Sequence, residues 1–219
     1  MSASDTSLPF FGVQARARGE RVSLRERTIG LAPTASDKLR DSSDRSAGVI
    51  RVAASLAVLL YRYTYEPTVV IGMAEPVRRV EGTHPLGIVP MRISVDANDT
   101  LPQVISKSAE AVGRARAGAD RVDTSPGSDC PTPVVLAMRN EAEMAPSGGP
   151  QPPEPSDWHA GLLRATDLLI EIREERGAPT LRVIYDALRF NDECIARFAD
   201  QLATTLSNLS SDSPGTSRT

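Results

Sequence analysis

The sequence predicts an α/β fold of the α+β sandwich type, in which helices cover a mixed β-sheet, from three observations. Apolar residues recur at helical spacing over 47–63, within a segment that is apolar almost throughout, which indicates a buried helix. Pro67 stops this helix, and the β-branched strand 68–71 follows at once, so the helix is expected to lie across a sheet. Apolar and charged residues alternate over 168–172 and again over 181–185, which predicts a β-hairpin.

Six further segments carry weaker signals of the same two periodicities. They are a strand at 21–29, a short helix at 33–40, a strand at 88–95, a helix at 100–118, a strand at 133–138 and a helix that follows Asn191 and runs to 209. Thr100 and Gln103 have the spacing of a capping box, which indicates the start of the fourth segment. Asn191 is a favourable N-cap, and the acidic residues after it suit the positive end of a helix dipole.

The chain is expected to contain one domain with less ordered segments around and within it. Residues 1–18 are predicted to form an N-terminal arm, and 19–209 the folded domain. Within the domain, 141–157 is rich in proline, glycine and serine and is predicted to be a flexible loop. Residues 210–219 are predicted to be a disordered linker.

Composition limits the classes of function. The chain has 219 residues, of which 40% are hydrophobic and 24% charged, enough for a single core that needs neither metal nor disulfide. The formal net charge of −3 argues against a nucleic-acid partner, because such proteins usually carry a basic surface. The N-terminus lacks a signal-peptide pattern, and no apolar run has the length of a membrane span. We therefore expect a cytoplasmic protein without a membrane partner.

Few residues suggest catalysis. The two cysteines are expected to be reduced thiols, and the two histidines, His84 and His159, lie 75 positions apart and are expected at the surface or in loops. No phosphate-binding loop, dinucleotide fingerprint or Cys-x-x-Cys pair is present. The sequence therefore indicates no cofactor and no metal.

The most specific motifs lie in two places. Ala53 to Thr64 runs into Val-Val-Ile-Gly at 69–72, and Tyr185-Asp186 leads through a turn to Phe190. With these motifs, 20–209 resembles the C-terminal half of the condensation domains of nonribosomal peptide synthetases. These domains consist of two similar halves with a chloramphenicol-acetyltransferase-like fold, and the resemblance implies one such half, truncated before the catalytic portion.

Two departures from the family pattern bear on activity. The family carries its acyl-transfer motif, His-His-x-x-x-Asp, on the first half, and this chain contains no His-His pair. In the segment 82–92, Gly87 stands where the family has an asparagine of the substrate tunnel, and Arg92 is expected to be a structural residue of a strand. The resemblance therefore implies that this chain alone is not an enzyme.

The resemblance implies a non-catalytic adaptor whose partners are a phosphopantetheinyl carrier protein and the adjacent adenylation domain of the same synthetase. Carrier proteins are typically acidic, so four arginines are candidates for the contact: Arg25, Arg27, Arg78 and Arg79. The alternative for each is solvated surface charge, on one strand face in the case of the arginines at 16–27. The alternative function is half of a two-chain acyltransferase that a histidine-bearing partner completes.

Overall fold

A computed structural model describes residues 21–40, 45–76, 86–118, 132–139, 155–164, 166–175 and 178–211. These ranges form six strands and five helices. In chain order they are β1 (Leu24–Ile29), α1 (Pro33–Arg40), α2 (Arg45–Thr64), β2 (Thr68–Pro76), β3 (Leu86–Ser94), α3 (Leu101–Gly118), β4 (Val134–Arg139), α4 (Pro155–Leu163), β5 (Leu168–Glu175), β6 (Ala178–Asp186) and α5 (Asp192–Ser211).

All six strands belong to one mixed sheet, as predicted. Its order is β1-β6-β5-β4-β2-β3, so that β1 and β3 are the outermost of the described strands. β4 runs parallel to both of its neighbours, β2 and β5, and the other pairs are antiparallel. The hairpin of β5 and β6 is confirmed, with Leu168 opposite Tyr185. β2 and β3 are longer than predicted, because their ladder extends to the pair Pro76 and Leu86.

One face of the sheet carries the main core under α1, α2, α3 and α5. Alternate residues of every strand point to this face, among them Ile71, Met91 and Leu136, and each is almost completely buried. The apolar stripe predicted on α2 is confirmed, since Val52 and Leu56 contribute to the same core. The capping signal before α3 is also confirmed by the backbone N–H of residue 100, which donates to the Gln103 side chain over 2.7 Å.

Of the helices that the structure describes, only α2 is long and apolar enough, over Ser46–Thr64, to resemble a membrane span. More than half of this stretch is buried inside the protein, and α2 packs against α3, α5 and β2. A helix in the core of a folded domain has the same composition, so its packing explains its apolar character. The expected absence of membrane and nucleic-acid partners stays a prediction.

The opposite face of the sheet is covered in part by α4, which was not predicted. The predicted loop 141–157 is wrong over its last residues, because α4 begins at Pro155, and 141–154 lies outside the described residues. Proline is well suited to the first position of a helix. The other prolines just before Pro155, however, are typical of a loop, so the sequence pattern did not indicate the start of α4. Leu162 and Leu163 of α4 pack on Leu169 and Ile184 of the strands. At the C-terminus, α5 includes the first two residues of the predicted linker.

Asp186, at the end of β6, ties β1 to the turn before α5. Its carboxylate oxygen accepts hydrogen bonds from the backbone N–H groups of Ser23, over 2.9 Å, and Leu188, over 3.1 Å. Its own carbonyl accepts from the N–H groups of Arg189 and Phe190. Asp186 is only 2% exposed, so water cannot readily replace its carboxylate as the acceptor for these backbone N–H groups. One carboxylate thus fixes where β1, β6 and α5 meet.

Gly72 lies in β2 where three side chains close over the backbone. A Cβ atom at this position would lie 2.6 Å from Cγ2 of Ile88, and 2.8 Å from both Oγ1 of Thr132 and Cγ2 of Val135. Real Cβ atoms do not approach other atoms so closely, so any side chain would push neighbouring strands apart. Close packing therefore explains why the Val-Val-Ile-Gly motif ends in glycine: no side chain fits at residue 72.

We predict that Gly72→Ala destabilises the protein by about 1–3 kcal/mol, the usual cost of overpacking a core. Gly113→Ala is the matched control, because Gly113 is exposed on α3 and its added Cβ would meet nothing within 4 Å. In the control, alanine should stabilise the helix by about 0.5–1 kcal/mol. Urea unfolding of both variants measures the difference, and equal midpoints would contradict the close packing at residue 72.

We predict that Asp186→Ala costs about 2–4 kcal/mol, because the N–H groups of Ser23 and Leu188 lose their acceptor. Asp37→Ala on α1 is the control, since that carboxylate is exposed and pairs with Arg40 on the same helix. The control should change stability by less than about 0.5 kcal/mol. Thermal unfolding followed by circular dichroism compares the two variants. An Asp186→Ala variant as stable as the control would contradict the role of Asp186 in holding β1 to the turn before α5.

Candidate partner-binding site

Three linked side chains meet where the start of α5 lies beside β1: Arg25 of β1, Tyr185 of β6 and Asp192 of α5. The carboxylate of Asp192 accepts a hydrogen bond from the Tyr185 hydroxyl over 2.9 Å and forms an ion pair with Arg25. Burial, and then the hydrogen bond to Asp192, raise the pKa of Tyr185 above its usual value, so this hydroxyl remains a donor at neutral pH. The Asn191 side chain accepts from the N–H of Glu193 over 2.8 Å, as predicted for an N-cap.

Arg189, in the turn, is held by the protein itself. Its guanidinium lies 2.6 Å from the Asp167 carboxylate, and both side chains are largely buried. The same guanidinium lies 5.8 Å from the centre of the Phe190 ring, within the range of a cation–π contact. Because Asp167 immediately precedes β5, this ion pair fixes the turn to a second strand. Arg189 therefore has a structural role.

These contacts leave an open groove of about 440 Å³ lined by Arg25 and by the residues 187–192. Leu188 at its wall is 65% exposed, which is unusual for a leucine in the described part of this chain. An exposed leucine beside a cation is the kind of mixed surface on which a protein partner gains both apolar contact and charge complementarity. This groove is the candidate site.

Two of the four predicted site residues lie at the groove or next to it. Arg25 lines the groove, and its side chain is 55% exposed despite the ion pair with Asp192. Arg27 follows on the same face of β1, is exposed and forms no ion pair within the described part of the chain. Arg78 and Arg79 lie outside the described residues, as does His84. Leu188 could not be predicted as a site residue, because a single apolar residue in a turn has no periodicity.

The surface or loop position predicted for His159 is wrong. His159 is on α4 with 6% of its surface exposed, and its Nε2 lies 3.3 Å from Oε1 of Glu171, which is fully buried in β5. The Nε atom of Arg173 lies 3.0 Å from the other carboxylate oxygen. Burial of a carboxylate requires such partners, and α4 supplies one of them. The described residues contain no group of three potential metal ligands.

Arg92, predicted to be a structural strand residue, lies exposed on β3. This strand forms the edge of the sheet opposite to β1, so Arg92 is far from the groove in the order of the strands. It therefore adds no charge to the candidate site.

No known family model and no curated protein matches the sequence, but solved structures match the fold. The X-domain from teicoplanin biosynthesis has a TM-score of 0.65 at 22% identity, over 90% of this chain and 50% of that one. The condensation domain from the monacolin K polyketide synthase MokA has a TM-score of 0.64 at 14% identity, over 96% and 54%. The epimerization domain from the third module of tyrocidine synthetase B has a TM-score of 0.60 at 13% identity, over 95% and 52%.

The teicoplanin X-domain also occurs in a complex with OxyB, where it matches with a TM-score of 0.63 at 22% identity, over 92% of this chain and 50% of that one. This chain spans about half the length of each of these solved structures. The resemblance predicted from the motifs at Gly72 and Asp186 is thus confirmed at the level of fold. The chain has the mixed-sheet fold of one half of a condensation-type domain of the peptide synthetases.

Proposed function

We propose that the chain is a non-catalytic adaptor of a nonribosomal peptide synthetase, and that it binds a phosphopantetheinyl carrier protein, the adjacent adenylation domain, or both. The observation that carries this proposal is the groove at the start of α5, where exposed Leu188 lies beside Arg25 of β1. The X-domain with the same fold forms a complex with OxyB, which supports protein recruitment as a use of this architecture.

The state of His159 supports a binding role over catalysis. A catalytic histidine must reach the substrate, whereas His159 is only 6% exposed and lies against the fully buried Glu171. The sequence contains no His-His-x-x-x-Asp motif that would supply another base. The proposed adaptor therefore works by holding a partner and leaves acyl transfer to other domains.

Charge would guide the carrier protein to this surface. Arg27 is exposed and forms no ion pair in the described ranges, so an acidic partner would meet no carboxylate of those ranges bound to it. At Arg25, by contrast, the partner must compete with Asp192. Exposed charge pairs contribute little affinity individually but speed association, and salt screens them. Arg78 and Arg79 remain proposed contributors to the same contact.

We predict that Arg27→Glu weakens binding of the holo carrier protein by about three- to tenfold at low salt, because reversal of an interfacial charge replaces attraction with repulsion. The control is Arg114→Glu, which is also exposed but lies on α3, a helix that packs against β3 at the opposite side of the described sheet. Isothermal titration measures both variants. Unchanged affinity in Arg27→Glu would remove β1 from the contact, and a parallel Arg78→Glu, Arg79→Glu variant tests the second pair.

We predict that the aminoacyl-loaded carrier binds more tightly than the bare holo carrier, because the load adds apolar surface that the groove beside Leu188 can cover. Titration of the isotopically labelled chain should shift the amide signals of 187–192 more strongly with the load. Silence in both titrations would contradict a carrier contact and leave support of the adenylation domain as the proposed role.

A further inference from the structure

The two outermost described strands of the sheet differ in how well they resist pairing with another chain. In β3, Pro90 lies opposite Gly72, and a proline in an edge strand places its nitrogen on the outer side, where it offers no N–H. This proline interrupts the row of donors that an added strand would need. β1 contains no proline and no bulge in its pairing with β6. The described sheet therefore has one blocked edge and one open edge.

The hydrogen-bond pattern identifies which backbone groups of β1 face outward. The carbonyl of Ser23 accepts from the N–H of Ala187, so Ser23 directs its backbone toward the β6 side. Backbone direction alternates along an antiparallel strand, so Arg25 and Arg27 also face β6. The N–H and C=O groups of Leu24, Glu26 and Thr28 consequently lie on the outer edge. They provide the ladder positions for one more strand.

The side chains of β1 disfavour a second copy of this chain as that strand. An antiparallel pair of two β1 strands centred on Glu26 would put Arg25 opposite a second Arg27, and Glu26 opposite a second Glu26. A shift of the centre to either arginine puts that arginine opposite itself. Like charges directly opposite each other destabilise a sheet, so these three central registers of self-pairing are disfavoured.

The same charges fit a segment of opposite sign. Arg25 and Arg27 point to the helix-covered face, where Arg27 lacks an ion pair within the described ranges, while Glu26 on the other face is already paired with Arg182 over 3.2 Å. An added strand with acidic side chains on the arginine side would pair with Arg27 and would compete with Asp192 for Arg25. At the start of β1 the groove offers Leu188 to an apolar side chain of the same strand.

We propose that β1 is a strand-addition site for an extended, acidic segment of a partner polypeptide, which pairs with the outward backbone groups of Leu24, Glu26 and Thr28. Its acidic side chains face Arg25 and Arg27. Strand addition draws affinity from main-chain hydrogen bonds and specificity from alternate side chains, which matches what this edge provides. The inference rests on the backbone geometry of β1 and does not require the partner to be a carrier protein.

Hydrogen exchange on the full chain tests this proposal directly. The probe is a capped peptide of alternating valine and glutamate, long enough to pair with all six residues of β1. Its addition should slow exchange of the amides of Leu24, Glu26 and Thr28, while those of Arg25 and Arg27, already directed at β6, should not change. Protection at other residues, or none, would overturn the proposal. Protection of the three amides before any peptide is added would also overturn it, because the chain itself would then cover the edge.

Two variants at one position separate backbone pairing from side-chain attraction. Thr28→Pro removes an outward N–H without removing a bond to β6 and should weaken peptide binding at least about tenfold, whereas Thr28→Val keeps the N–H and should bind like the wild type. Thermal unfolding verifies that Thr28→Pro is folded, and the exchange experiment decides the matter if it is not. Equal peptide affinity of folded Thr28→Pro and Thr28→Val would sink the strand-addition model.

The sign of the peptide charge tests the role of the arginines. A peptide of alternating valine and lysine should bind at least about tenfold more weakly than the glutamate peptide, because its cations would lie opposite Arg25 and Arg27. Equal binding would contradict the assigned acidic specificity. If the glutamate peptide binds but the carrier protein does not, strand addition stands and the proposed carrier contact fails, so the two outcomes can be distinguished.

Discussion

The buried carboxylate of Asp186 is the constraint on which the arrangement of the candidate site depends. It binds the N–H of Ser23 before β1 and the N–H of Leu188 in the following turn, so one side chain sets the relative position of an edge strand and a helix start. The ion pair of Arg189 with Asp167 fixes the other side of the turn to β5. Exposed Leu188 is therefore presented on a rigid support, and a partner that covers it need not order the turn first.

The two faces of the sheet have different roles because they are buried in different ways. The face under α2 and α5 is filled by apolar side chains and accounts for most of the stability. The face under α4 contains the fully buried Glu171, whose carboxylate lies against His159 and Arg173. Such a charged interior adds little net stability but strongly penalises the loss of any one partner. These contacts therefore fix where α4 packs on the sheet.

Local patterns predicted the fold well, and contacts between distant residues limited the prediction of the site. The hairpin of β5 and β6 and the cap before α3 arise from residues close in sequence, so periodicity and spacing revealed them. The burial of His159 depends on Glu171 in another element, and α4 itself is short and preceded by prolines. The ion pair of Arg25 with Asp192 joins residues far apart in the chain, so no local sequence pattern predicts it.

The unequal edges of the sheet also bear on solution behaviour. A sheet with two open edges can extend in both directions and form filaments, whereas Pro90 interrupts one edge here and like charges oppose self-pairing at the other. Self-association along the described sheet is therefore opposed at both of its outermost strands. A sheet with such edges resists growth into filaments even at high protein concentration.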